Sequence, residues 1–510
     1  DYYASRGLGD VYKRQFMERA SGVLMPVSSL PGPYGIGGFG WNAYDFVDFL
    51  ASCKQHYWQI LPLTTTSYGD SPYQSFSARA GNPNFIDFAE LIEAGYLEQR
   101  DIDGVYLGSD PSNVDYGAIF GGRRQILDRA AERFAADKPA DFDDFIQANE
   151  DWLIPYCEFM TVKEECGLKA FWEWPAELRT RGEASAKVCA DHPARMLYHQ
   201  MTQYFFDRQW SRLKAYANER DILIIGDLPI YVSRDSVEMW ATPELFNIDA
   251  AGNPVSVAGT PPDQFSATGQ YWGNPIYDWD AMESDGFSWW EGRIRAALDM
   301  YDVIRLDHFR GFEAYWEVPF SSPDSSYGSW TQGPGLKFFK TLEEKLGTLP
   351  IIAEDLGYLT PEVKAMLAAS GYPGMKIMQF AFDSREPGNY LPYTYPRNSV
   401  VYTGTHDNVT AEGWRQSASA EDVAYACRYL RCAPEDLTEA MICACLSCVS
   451  DMAVIPLADW LHLDAEARIN TPSTQGANWQ WRLTQPLTPA LSAHIAELTA
   501  LYHRVPGEEL

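Results

Sequence analysis

The strongest constraint on this fold is a series of short apolar runs, most of them followed by a helix-patterned segment: Gly22–Val27, Tyr57–Pro62, Ile222–Asp227, Asp302–Leu306, Leu349–Ala353, Met375–Phe380, Ser399–Thr403 and Asp451–Pro456. Runs this short and this apolar fit strands buried on both faces, as in a parallel sheet. An amphipathic helix is predicted from Trp41 to about Lys54, between the first two runs. After the fifth run, Thr360-Pro361 supplies an N-cap and a first-turn proline. Eight strands alternating with helices predict an α/β fold, and a closed (β/α)8 TIM barrel better than an open doubly wound sheet.

At 510 residues the chain is far longer than the ~250 residues of a bare barrel, so the surplus must be insertions. The segment of about 64–220, between the second and third runs, carries helical pattern and predicts a largely helical subdomain. The segment of about 233–295, between the third and fourth, is rich in Pro, Gly, Trp and Asn and predicts a folded lid over an active site. Residues 17–510 are therefore read as one barrel domain, with large insertions between strands 2 and 3 and between strands 3 and 4. Residues 1–16 are set aside as a non-native or disordered tail, because Asp10-Val-Tyr-Lys-Arg-Gln15 reads like a translated transposon end and Met17 follows it.

Charge excludes some partners. Lys+Arg 40 against Asp+Glu 70 leaves a net charge of −30, which repels phosphate backbones and anionic lipid, so no nucleic acid or membrane partner is expected. No apolar run reaches spanning length, no secretory leader is expected, and nine cysteines follow no regular framework. A reducing, cytoplasmic location is expected. The Cys445-Leu-Ser-Cys448 pair sits in an apolar helical pattern and reads as buried thiols, not a metal site. Tyr, Trp and Phe make up 14% of the chain, a high share that a large aromatic core explains, and rings could also line a groove for an uncharged, ring-shaped ligand such as a sugar.

Carboxylates fall at the C-terminal ends of the runs: Asp227, Asp307, Glu354, Asp383 and Asp407. In a barrel those ends converge on one mouth, where burying an unpaired charge costs several kcal/mol. Any one of them could cap a helix, but five together, beside Arg305, His308, Arg310 and His406, point to a site. Clustered acids suit either a divalent cation or glycosidic bond cleavage by a carboxylate pair. Arg and His beside the acids favour the second, since they compete with a metal and are suited to orienting hydroxyls. No metal and no cofactor is expected.

Longer motifs then carry a resemblance. Ser71-Pro-Tyr-Gln with the Ser-Phe-Ser-Ala-Arg-Ala-Gly-Asn-Pro83 that follows, Gly226-Asp-Leu-Pro-Ile-Tyr-Val-Ser-Arg-Asp-Ser236, Gly259–Asp263 with Ala267–Pro275, Arg305-Leu-Asp-His-Phe-Arg-Gly311, Ala353-Glu-Asp-Leu-Gly357 and Thr403-Gly-Thr-His-Asp-Asn408 occur in order. From about Ser21 to Asn478-Trp-Gln-Trp-Arg482 the chain resembles the 4-α-glucanotransferases, also called amylomaltases or disproportionating enzymes and related to the α-amylase superfamily.

The resemblance implies Asp307 as the nucleophile, Glu354 as the general acid/base and Asp407 as the stabiliser of the transition state. They follow the fourth, fifth and seventh strands, the order used across the amylase superfamily. It further implies sugar contacts from His308, His406, Asp227 and Asp383, aromatic platforms at Tyr73, Trp272 and Tyr68, and a closing loop that bears Asp263, Gln270 and Asn274. Arg305, two residues before Asp307 and so on the same strand face, is expected to keep that acid ionised, while Glu354 holds a proton. Val409 departs from the family, where an acidic residue is frequent, and could tune acceptor choice. The expected reaction is a retaining transfer between α-1,4-glucans: maltooligosaccharides, or chains derived from starch or glycogen. An α-amylase-like hydrolase and a glucan-binding scaffold are the alternatives.

Overall fold

The computed structural model describes residues 18–67, 69–262, 266–357, 359–383, 390–474 and 476–507. The proposed tail, residues 1–16, lies outside this set, as do Tyr68 and Asp263. The strands are β1 (Ala20–Leu24), β2 (Tyr57–Gln59), β3 (Leu223–Leu228), β4 (Ser256–Thr260), β5 (Gln270–Pro275), β6 (Val303–Leu306), β7 (Ala314–Pro319), β8 (Ser329–Gln332), β9 (Ile351–Ala353), β10 (Gly374–Ile377), β11 (Ser399–Tyr402) and β12 (Met452–Pro456). Eight of them, β1, β2, β3, β6, β9, β10, β11 and β12, close a barrel in that order. Every pair is parallel, from β1 on β2 round to β12 on β1. Each apolar run thus becomes one barrel strand. Their side chains are buried almost throughout, which is why period-2 alternation is absent from the sequence.

Four strands, β1, β2, β10 and β11, stop before their apolar runs do. β10 ends at Ile377, and Met378–Ala381 turns into a 3-10 helix, so Asp383 lies beyond a turn and not at a strand end. Helix Trp41–Ser52 ends before Lys54, which takes a left-handed φ of 57°. Helix Pro361–Ser370 forms as its signals predict: the Thr360 hydroxyl accepts from Val363 N at 3.3 Å, and Gly371 closes it at φ 74°.

The first insertion packs helices Tyr116–Ala136, Glu150–Glu165 and Pro193–Asn218 together, the last of which feeds into β3. This 26-residue helix fixes the loop that leads to the mouth. Gln203 pairs with both backbone groups of Gly81 (2.7 and 2.8 Å), and Gln209 with both of Asp87 (2.7 and 3.1 Å). Gly81 lies flat on Phe206, and a Cβ there would meet the ring at 2.3 Å, which accounts for glycine in Ala-Gly-Asn-Pro.

The second insertion supplies β4 and β5, whose antiparallel sheet is completed by β7 and β8 from beyond β6 in the order β5-β4-β7-β8. Most of the aromatic excess is core, with Trp58, Trp174, Trp240 and Trp290 fully buried. All nine cysteines are free thiols. Among the described residues no helix is long and apolar enough to cross a membrane.

Candidate active site

The site is laid down by strand register. β3 and β6 pair Asp227 with Arg305, so the two side chains stand on the same face at neighbouring positions. Arg305 Nη1 donates to Asp227 Oδ1 and Oδ2 at 2.8 and 2.7 Å and to Asp307 Oδ1 at 3.0 Å. The Asp227 side chain is 0% exposed and that of Asp307 is 27% exposed. One guanidinium therefore joins a buried acid to one that reaches the cleft.

The network continues across the mouth. Tyr73 Oη donates to Asp227 Oδ2 at 2.8 Å and lies 2.9 Å from His406 Nε2. A phenol has one proton, already directed at Asp227, so His406 Nε2 must be the donor to Tyr73. Burial lowers the His406 pKa, which keeps the ring neutral in this tautomer. The same Nε2 faces Asp407 Oδ1 at 3.4 Å. Asp307, Arg305, Asp227, Tyr73, His406 and Asp407 thus form one continuous polar chain.

Glu354 stands on the next strand. β6 and β9 pair Leu306 with Ala353, so Asp307 and Glu354 follow directly on adjacent strands ~4.8 Å apart. Glu354 accepts from backbone groups: Oε2 from His308 N and Oε1 from Leu356 N, each at 2.8 Å. His308 presents its N–H from a left-handed conformation at φ 51°, a strain of roughly 1–2 kcal/mol for a non-glycine residue. Gly311 lets that turn close, since a Cβ there would sit 2.8 Å from the His308 ring.

Burial pushes the Asp307 carboxyl up, to about 8, with Arg305 opposing the rise and Asp227, Glu354 and Asp407 adding to it. Burial also raises Glu354. Two acids this close titrate as a pair and hold one proton between them near neutral pH. The guanidinium at 3.0 Å places the negative charge on Asp307 and leaves the proton to Glu354.

Residues 25–488 match the family described as 4-alpha-glucanotransferase. The chain belongs to that family. A 4-α-glucanotransferase of Streptococcus pneumoniae is 51% identical over 494 residues, 96% of this chain and 98% of the relative. One from Clostridium butyricum is 44% identical, over 94% of this chain and 100% of the relative. The solved amylomaltase of Streptococcus agalactiae, in complex with acarbose, superposes with a TM-score of 0.93 at 46% identity, over 96% of this chain and all of that one.

Other expected residues of this 4-α-glucanotransferase differ in exposure. Trp272, partly exposed, meets the His308 ring edge-on at 4.8 Å, and its Nε1 donates to Gln270 Oε1 at 3.1 Å. Burial drives His308 down to about 3, so it too is neutral. Asn274 is buried, with its amide held by Val232 O at 2.8 Å and Gln74 Nε2 at 3.2 Å. Asp383 is partly exposed beyond the 3-10 turn. Val409 packs over the helix that follows, where a Cβ on Gly413 would strike its Cγ2 at 2.5 Å.

Three residues absent from the sequence expectations complete the mouth. Asn470 Nδ2 donates to Asp407 Oδ1 at 2.6 Å, and Arg468 Nη2 donates to Asp407 O at 2.7 Å. Trp479, at φ 66°, sets its ring 5.8 Å from Tyr73 and 6.0 Å from His406. Only Trp479 left a signal, inside the Asn-Trp-Gln-Trp-Arg motif. Asn470 and Arg468 sit in an irregular stretch with no pattern to mark them.

Proposed function

We propose that the 4-α-glucanotransferase activity of this chain runs as a retaining double displacement on Asp307 and Glu354. The observation that carries this reading is the pair on adjacent strands, one acid held by a guanidinium and the other by two backbone N–H groups. Neighbouring strand positions bring the two side chains into the range of the ~5–5.5 Å carboxylate separation of retaining enzymes.

In the first step an Asp307 oxygen attacks the anomeric carbon of an α-1,4-linked glucan. The glycosidic C–O bond breaks, and Glu354 gives its proton to the departing 4-oxygen. In the second, the 4-hydroxyl of another glucan attacks the glycosyl–Asp307 ester, Glu354 takes its proton, and Asp307 leaves as a carboxylate. Both steps build positive charge on the sugar. A carboxylate about 4 Å from that charge, at an effective dielectric of ~20, lowers its energy by about 4 kcal/mol, or ~10³ in rate. Asp407, fixed by Asn470 and Arg468, takes this role.

His308, neutral, presents its N–H to hydroxyls without adding positive charge, and His406, neutral too, gives its one N–H to Tyr73 and so fixes that ring. Asp227 acts through Arg305 and Tyr73 instead of touching sugar. Trp272 forms an apolar wall for a pyranose face, and Tyr73 and Trp479 form a second. Tyr68, Asp263, Gln270, Asn274 and Asp383 are retained as substrate-contact or loop residues. The substrates are maltooligosaccharides and α-1,4-glucans from starch or glycogen, the domain is the single barrel of residues 17–510, and its free thiols support a cytoplasmic location.

Incubation with maltotriose tests the reading. Glucose together with maltopentaose and longer chains is the expected outcome. Maltose and glucose alone would make the protein a hydrolase, and unchanged maltotriose would leave only binding.

A further inference from the structure

His406 and Asp407, the acid proposed to face the developing charge, sit on a loop, residues 404–410, that belongs to no strand ladder. β11 ends at Tyr402, and the next helix begins at Ala411. The ends of this loop meet at one side chain. Asp459, on the short helix Leu457–Trp460 directly after β12, is 1% exposed. Its Oδ2 accepts from the Thr403 hydroxyl at 2.5 Å and its Oδ1 from Ala411 N at 2.7 Å. Thr403 and Ala411 are both 0% exposed, so neither donor has water in reserve. Ala411 N is also one of the first-turn amides of its helix that no helical carbonyl can satisfy.

We propose that Asp459 is a positioning residue for transfer: a buried two-pronged clamp that fixes both ends of the 404–410 loop and so sets the reach of His406 to Tyr73 and of Asp407 to the sugar. The inference rests on the role proposed above for Asp407. A second anchor acts on the same loop from β10's side, where Gln379 Nε2 donates to Val409 O at 2.8 Å and Gln379 N to Thr403 O at 3.2 Å. Asn470 and Arg468 hold Asp407 from above. Gln379 reaches both ends through backbone carbonyls, whereas Asp459 holds the Thr403 side chain and the first amide of the following helix, so its loss loosens the loop at both ends, and a shift of about 1 Å in a catalytic group is enough to cost on the order of 10²-fold in rate.

An amide can make the same clamp. In Asp459→Asn the oxygen accepts from Ala411 N and the NH₂ donates to the Thr403 hydroxyl, whose oxygen can accept. In Asp459→Leu, of similar size, both donors are left unpaired. Thr403→Val removes one prong and nothing else.

The test is steady-state disproportionation of maltotriose by the full chain carrying each substitution, with far-UV circular dichroism and the thermal midpoint recorded alongside. Asp459→Leu is expected to lower kcat by about 10- to 100-fold while KM changes by less than about threefold. Thr403→Val falls between it and wild type, and Asp459→Asn stays within about threefold of wild type. A folded Asp459→Leu protein with wild-type kcat would overturn the proposal, as would an Asp459→Asn protein as impaired as the leucine variant. If Asp459→Leu does not fold, Thr403→Val decides: wild-type kcat rejects the clamp. Asp407→Asn in the same assay keeps the two readings apart, since full activity there would remove the role of Asp407 itself.

Discussion

Replacing Arg305 with Met separates what this residue does for the fold from what it does for chemistry. Arg305 and Asp227 are buried, with side chains 4% and 0% exposed. Removing one partner of such a pair leaves an uncompensated charge and costs about 3–5 kcal/mol of stability. The same substitution takes from Asp307 the guanidinium at 3.0 Å. At an effective dielectric of ~20 that interaction is about 5 kcal/mol at most, and partial exposure of Asp307 reduces it.

Two to three kcal/mol of lost attraction raises the Asp307 pKa by a further ~2 units. The ionised form, which attacks, exists above the pKa and disappears as pH falls through it. The acid limb of kcat/KM therefore moves to higher pH, and activity at pH 7 falls by about 10²-fold or more. A second substitution, Asp227→Leu, removes the orphaned charge. The double variant should recover most of the thermal midpoint, because an apolar pair can replace a buried ion pair at little cost, yet it should stay inactive. Maltotriose disproportionation followed by glucose release, with melting curves on the same samples, reads both quantities. Recovery of activity together with stability in the double variant, or an unmoved acid limb in Arg305→Met, would refute the reasoning.

Three further outcomes are expected. Burial raises both Asp307 and Glu354, so the pair holds a proton in the folded chain that the unfolded chain has released, and it lowers stability as pH climbs above about 4; Asp307→Asn should raise the thermal midpoint at pH 8, by the equivalent of about 1–3 kcal/mol, and give no gain at pH 4. Asn470→Ala, which frees Asp407 Oδ1 from its 2.6 Å donor, should lower kcat about tenfold with a small effect on the melting temperature. Trp479→Ala should raise KM for maltotriose by roughly three- to tenfold through lost ring packing, and a kcat loss without a KM change would count against a platform.

The barrel was legible in the sequence because each strand is buried on both faces and must be apolar, while the mouth must carry what the strands cannot. That logic found Asp227, Arg305, Asp307 and Glu354, which lie within a strand or one residue beyond it. It placed Asp383 less well, because Gln379 turns the chain before Phe380 and a short apolar run does not report a 3-10 turn. The β5-β4-β7-β8 sheet was hidden for a different reason. Its strands come from both sides of β6, and pairing across such a separation leaves no local pattern. Asn470, Arg468 and Asp459 share that property, as each acts through one contact made by folding alone.

The most direct test of the central claim is to catch the glycosyl unit on Asp307. With Glu354→Gln the second step has no base, whereas a donor with a good leaving group, such as α-maltotriosyl fluoride, needs no acid for the first. Intact-mass spectrometry followed by peptide mapping should find one maltotriosyl unit esterified to Asp307, discharged on adding azide as an acceptor that needs no base. An adduct on another residue, or turnover of the fluoride with no adduct and an inverted product, would contradict the account.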